Sequence, residues 1–150
     1  MVDIDLRYDR WGSRLVMIGT TGIAYDRLGS RASELGSWHL EYDRLGSRLV
    51  SIGPHRIEYD RLGTRPTQVG PWAIQCDHLG TRLVVFGGHA LTYDHIGSRV
   101  RTIGPLAIDY DRLGSRARRV RSDAPFTEEL VVALFLVLYL SAQASAAAAG

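Results

Sequence analysis

With 150 residues and a formal charge of +2, the chain is long enough for one domain with a real core and too short for two ordinary ones. A single cysteine, Cys76, excludes an intramolecular disulfide and a cysteine-rich zinc site, and fits a reducing compartment. Sixteen glycines and turn signals at regular intervals point to an all-β body, while the base is arginine held at fixed intervals, so its distribution matters more than its sum.

The first residues, Met1 to Tyr8, carry charges and no apolar run, which does not make a secretory signal. A cytoplasmic protein, with peripheral contact to a membrane, is the expectation. From there a motif repeats with a period of 17 residues and no slip. Tyrosine or its substitute stands at Tyr8, Tyr25, Tyr42, Tyr59, Cys76, Tyr93 and Tyr110. After each come Asp, then Arg or His, a large apolar residue, Gly, Ser or Thr, and Arg. Such self-similarity marks one supersecondary unit reused, each copy covering its neighbour's apolar face.

Asp-Arg-Leu-Gly has the first and fourth residues of a type I turn closed by a glycine bulge, and so predicts one hairpin tip. A second reversal is expected at Gly-Pro-x-x, as in Gly53-Pro54-His55-Arg56, with proline presetting the backbone. Each unit then supplies two strands of about six residues. With the first tip at Asp43 to Gly46, Tyr42 falls opposite Arg48, and alternation places Val50 and Ile52 on the tyrosine face. Across the second turn, Ile52 is expected to face Ile57.

The predicted inner face collects Ile18, Leu35, Ile52, Val69, Phe86, Ile103 and Val120 from the outgoing strands. From the incoming strands it takes Leu6, Ile23, Leu40, Ile57, Ile74, Leu91 and Ile108, while Glu41, Glu58, Gln75, Asp109, Ser51 and Gln68 face water. Seven units predict an up-and-down meander of about twelve to fourteen strands, and closure into a barrel removes both edges. Spaced at ~4.8 Å and tilted ~40°, such a barrel has a radius of roughly 12–14 Å, too wide to fill with its own side chains.

The last segment supplies a filling. Thr127 is a suitable N-cap, Glu128 and Glu129 complement the helix dipole, and Leu130 to Leu140 is apolar on every side. A helix of that kind is buried in lipid or in a protein core. The expected fold class is therefore mainly β: a barrel of short hairpin strands over residues 1–121, a linker over 122–127, and one enclosed helix with an Ala-rich tail over 128–149, together a single domain. The last strand ends at the Gly-Pro rim, so the helix enters there and points its C-terminus at the arginine rim. In the alternative reading the helix inserts into a membrane or a partner, and the chain is a structural or interaction protein.

A barrel of consecutive hairpins around one hydrophobic C-terminal helix resembles the tubby-like architecture, which includes tubby C-terminal domains and scramblase-related proteins. The Tyr-Asp-x-x-Gly-x-Arg hairpins also look like those of the β-flower proteins, which are short symmetric barrels. The resemblance to tubby-like proteins implies binding of a phosphoinositide or membrane by a basic surface.

The candidate site is the set Arg14, Arg31, Arg48, Arg65, Arg82, Arg99 and Arg116, with Arg10, Arg27, Arg44, Arg61 and Arg112 at the turn tips. Two roles stand open for it. Convergent guanidinium groups hold phosphate or carboxylate bidentately, so an anionic ligand is expected, and with the tubby-like resemblance a phospholipid headgroup is one such ligand. An Asp-Arg-Tyr lattice of ion pairs and cation–π contacts accounts for the same residues structurally. Repeats five and six replace Tyr with Cys76 and the tip arginine with His78 and His95, making that sector less basic. No orienting third group accompanies Cys76, so neither a metal nor a nucleophile site is expected. No catalytic signature appears: the expectation is a monomeric, non-enzymatic binding module without a cofactor. The basic run Arg116 to Arg121 lacks interleaved aromatics or a reading helix, and no nucleic-acid partner is expected. Trp38, His55, Trp72, His89 and Leu106 share the second turn, as a lid over the helix or an aromatic membrane belt.

Overall fold

Short alternating segments between turn residues form fourteen strands: β1 Val2–Tyr8, β2 Leu15–Ile18, β3 Thr21–Tyr25, β4 Ala32–Leu35, β5 Trp38–Tyr42, β6 Leu49–Ile52, β7 His55–Tyr59, β8 Pro66–Val69, β9 Trp72–Cys76, β10 Leu83–Phe86, β11 His89–Tyr93, β12 Val100–Ile103, β13 Leu106–Tyr110 and β14 Ala117–Ser122. One helix follows, α1 Glu128–Ala149. This computed structural model describes residues 2–9, 14–26, 31–43, 48–60, 66–77, 82–94, 99–110 and 116–149, with only the backbone of Val2 and of residues 139–149. Arg65, the turn-tip arginines, His78, His95 and the expected type I turn lie outside the described residues.

Each strand neighbours the next in sequence, and β14 returns beside β1, with Val2 facing Ser122, Ile4 facing Val120 and Asp5 facing Arg119. The sheet is a closed, antiparallel up-and-down barrel, and closure leaves no edge open to another chain. The chain divides into two compact units, one of residues 1–19 and 89–150, the other of residues 20–88.

The unit of residues 20–88 shows how a repeat is built. At the Asp–Arg end, the amide of Asp43 donates to the carbonyl of Arg48 at 2.8 Å. That bond makes Asp43 and Arg48 the base of the hairpin, so Tyr42 faces Leu49 rather than Arg48. Glu41 then faces Ser51, and Val50 is an extra residue with no partner. This is a β-bulge, which turns two consecutive residues to the same side of the sheet. The expected inward position of Val50 is thereby overturned: Leu49 and Ile52 are buried, while Val50 and Ser51 are half-buried on the outer side. Pro66, facing Tyr59 at the start of β8, sits where a missing amide proton costs least.

At the other end the turn is tighter than expected. Ile52 faces His55, not Ile57, because the loop is only Gly53 and Pro54. Gly53 has φ of +57°, the mirror-image backbone of a two-residue hairpin loop, which matches the twist of the flanking strands. Gly36 adopts φ of +62° in front of Ser37 and makes the same loop, so glycine sets this turn and proline only accompanies it. The strands are consequently shorter than predicted, four residues outgoing and five incoming, apart from β1 and β14.

The inner face is nevertheless the predicted one. The seven residues from Ile18 to Val120 at the ends of the outgoing strands are 0–2% exposed, and their seven partners from Leu6 to Ile108 are 4–7% exposed. The registers moved without moving these faces, since the two-residue loop and the bulge each preserve which side Ile52 and Ile57 occupy.

In the unit of residues 1–19 and 89–150, β14 runs on to Ser122, whose buried hydroxyl donates to the Ala124 carbonyl at 2.6 Å and accepts from the Ala124 amide at 3.1 Å. That local loop turns the chain into α1. Thr127 caps it as expected: its hydroxyl accepts from the Leu130 amide at 3.3 Å. His89 Nε2 lies 3.7 Å from Glu129 Oε1, which places the helix N-terminus at the glycine-turn end. The helix packs against β12 and β2. Val132 to Val137 are six successive residues, all at most 5% exposed. At about 100° per residue they point in every direction, so this stretch is enclosed by protein all round. Leu130 to Val137 rises ~12 Å, close to the ~13–17 Å of four- and five-residue strands. Among the described residues no helix is long and apolar enough to cross a membrane.

Three substitutions test this construction. Gly53→Ala places a methyl group 2.5 Å from the Trp38 ring and forces left-handed backbone on alanine, and is expected to lose about 2 kcal/mol or more. Gly88→Ala, which meets open space, is expected to stay within ~0.5 kcal/mol in the same urea titration. Leu134→Ala, at a fully buried helix position, is expected to cost about 3 kcal/mol by the same measurement.

Candidate anion-binding rim

The arginines of the motif stand one residue before each outgoing strand, and the aspartates one residue after each incoming strand. The hairpin base therefore brings them together. Arg Nε donates to Asp Oδ2 at 2.7 Å in Arg14–Asp9, 3.2 Å in Arg31–Asp26, 2.9 Å in Arg82–Asp77 and 2.6 Å in Arg99–Asp94, and the Arg48–Asp43 ion pair spans 3.3 Å. In each of these hairpins the Arg amide also approaches Asp Oδ1, at 3.3–3.5 Å. The aspartate side chains are only 10–23% exposed, whereas the arginines keep 38–42%. A carboxylate so covered needs its cation; the exposed cation needs its carboxylate less.

The tyrosine contact runs between repeats, not within one. Arg31 lies over the ring of Tyr42 at 4.8 Å, Arg48 over Tyr59 at 4.7 Å and Arg99 over Tyr110 at 4.9 Å. Each of these tyrosines donates its hydroxyl back to the preceding repeat: Tyr42 to the Ala32 carbonyl at 2.6 Å, Tyr59 to Leu49 at 2.5 Å and Tyr110 to Val100 at 2.8 Å. The last repeat treats the first in the same way, with Arg116 over Tyr8 at 5.3 Å and the Tyr8 hydroxyl donating to Ala117 at 2.6 Å. The seam is thus built like the junctions at Tyr42, Tyr59 and Tyr110. Sequence spacing shows the repeat but not this stagger, since a period of 17 is the same whether Arg meets the tyrosine of its own unit or the next.

Six of the seven predicted site arginines, Arg14, Arg31, Arg48, Arg82, Arg99 and Arg116, are in place at the Tyr-Asp end of their repeats, and Arg65 lies outside the described residues. In each unit the lattice leaves them as partly exposed guanidinium groups held by their aspartates or by a tyrosine ring. By sequence, the seven motifs hold twelve arginines against seven aspartates, a surplus of five positive charges, while the rest of the chain has six arginines against nine acidic residues. Cys76 faces Leu83 in the tyrosine position of repeat five, and among the described residues no group of three His, Cys, Asp or Glu side chains is placed to hold a metal ion. At the opposite end, Trp38, His55, Trp72 and Phe86 form a chain of ring contacts with centroids 4.6–5.8 Å apart. No protein-family profile, curated protein or solved structure matches the chain.

Burial pushes the phenol of Tyr110 up from 10.0 to about 12, against a smaller opposing pull from Arg99, and raises Tyr59 for the same reason. The folded state therefore holds the Tyr110 proton more tightly than the unfolded chain. Its contribution to stability is complete below pH 10.0 and is lost as the pH rises through about 12. Phenolate absorbance is expected to show Tyr110 ionising after the ordinary tyrosines, and Tyr110→Phe to flatten the alkaline loss of stability.

Proposed function

We propose that the protein is a non-enzymatic binding module whose basic rim takes an anionic phospholipid headgroup. The observation that carries this reading is the charge distribution: the motifs concentrate a surplus of five positive charges while the remainder of the chain has a deficit of three. The arginines of that rim are held in position by aspartate and tyrosine, yet remain about two-fifths exposed. A guanidinium already fixed in place loses less conformational freedom on meeting phosphate than a free side chain does. The aspartates lower the field but do not cancel it, which favours a multivalent anionic surface over a single small anion. The resemblance to tubby-like architecture supports the same class of ligand.

Flotation with vesicles containing phosphatidylserine tests the reading. Recruitment is expected at moderate salt and is expected to fall away near 1 M salt, where the screening length shrinks to ~3 Å. An absence of recruitment at both salt concentrations would sink the proposal.

A further inference from the structure

In the unit of residues 1–19 and 89–150, the outer wall beside the rim carries three arginines that the lattice does not use. Arg7 is the last residue of β1 before Tyr8, and Arg101 and Arg118 are the extra residues of the bulges in β12 and β14. All three are exposed, and among the described residues none of their guanidinium groups has an acidic partner. The nearby carboxylates are engaged elsewhere. Asp109 accepts two bonds from Arg121, both at 3.0 Å, and Asp5 pairs with Arg119 at 3.5 Å.

The bulge explains how this concentration arises. It sends two consecutive residues outward, so Arg118 and Arg119 share the wall between buried Ala117 and Val120. The other repeats hold valine, serine or threonine at the bulge position, and none but the first has arginine before its tyrosine. β12 and β14 are separated only by β13, which sets their backbones on the order of 10 Å apart, and β1 adjoins β14. On the far side of β1, Met17 faces Arg7 in register, and Val16 is the extra residue of that bulge. Both are half-buried, adding an apolar element next to the charge.

We infer that this sector, Arg7, Arg101 and Arg118 flanked by Val16 and Met17, is the surface that seats on an anionic phospholipid bilayer. The inference rests on the reading of the rim as a headgroup-binding module, and fixes which wall of it meets the membrane. Charge beside a partly exposed apolar pair fits the headgroup region, where cations meet phosphate and apolar groups reach toward the acyl chains. A single-stranded nucleic acid would call for outward aromatic rings, and the described residues of this wall hold none.

The test is sedimentation of the whole chain with phosphatidylserine–phosphatidylcholine vesicles at moderate salt, for wild type, Arg118→Gln, the triple variant R7Q/R101Q/R118Q, and Arg56→Gln. Arg56 is likewise exposed but lies outside the sector. Each sector arginine is expected to account for about 5-fold in affinity and the triple variant to lose on the order of 100-fold, with Arg56→Gln within about 2-fold of wild type. Thermal melts of the variants are expected to match wild type, because no ion pair is removed. If the triple variant folds poorly, the single Arg118→Gln carries the comparison. Vesicle binding that is strong in wild type and unchanged in the variants overturns the sector and leaves the rim reading standing. Wild type that binds no vesicles overturns both. Wild type that binds an oligonucleotide and not vesicles overturns the lipid occupant.

Discussion

One extra residue in each outgoing strand governs the rest of the structure. The hydrogen bond from the Asp amide to the Arg carbonyl closes the hairpin at those two residues, and the tyrosine must then pair with the residue after the arginine. With Val50 left over, a four-residue strand buries its first and last positions and turns its middle two outward. Everything downstream follows that pattern. Leu49 and Ile52 both reach the core, the arginine is left beside its aspartate instead of in the ladder, and the wall gains a pair of adjacent outward side chains in every repeat.

The second constraint is at the other end of the repeat, where a glycine with positive φ lets a two-residue loop reverse the chain. The loop brings the glycine against the first side chain of the preceding incoming strand in several repeats, Gly36 on Thr21, Gly53 on Trp38 and Gly70 on His55. Short loops at both ends keep the strands short, and short strands fix the height of the core. The helix obeys the same limit: its capped N-terminus lies beside His89, and its stretch from Leu130 to Val137 rises about as far as a strand does.

The rim shows how a single set of residues serves stability and presents charge. Surface ion pairs and cation–π contacts are each worth about 1 kcal/mol or less, so no one of them holds the barrel. Repeated at several junctions, including the seam from Arg116 to Tyr8, they hold the arginines at fixed places while leaving part of each exposed. Among the described residues, Arg7, Arg101 and Arg118 lie outside that lattice and outside any ion pair, and their clustering beside one stretch of rim breaks a symmetry that the repeat would otherwise impose.

Much of this was legible in the sequence. The period of 17, the all-round apolar run after Thr127 and the alternation of Ile, Leu and Val determined a closed array of hairpins, its inner face and its one helix, because burial of apolar side chains is insensitive to small shifts of register. The tertiary structure alone decided the registers. Whether Tyr42 meets Arg48 or Leu49 depends on which backbone bond closes the hairpin, and alternation read along one strand cannot show a bulge that only two strands together define. The stagger of arginine onto the next repeat's tyrosine, and the isolation of Arg7, Arg101 and Arg118 from any acid among the described residues, were hidden for the same reason. They depend on which strands lie side by side, and a periodic sequence is equally periodic in every pairing.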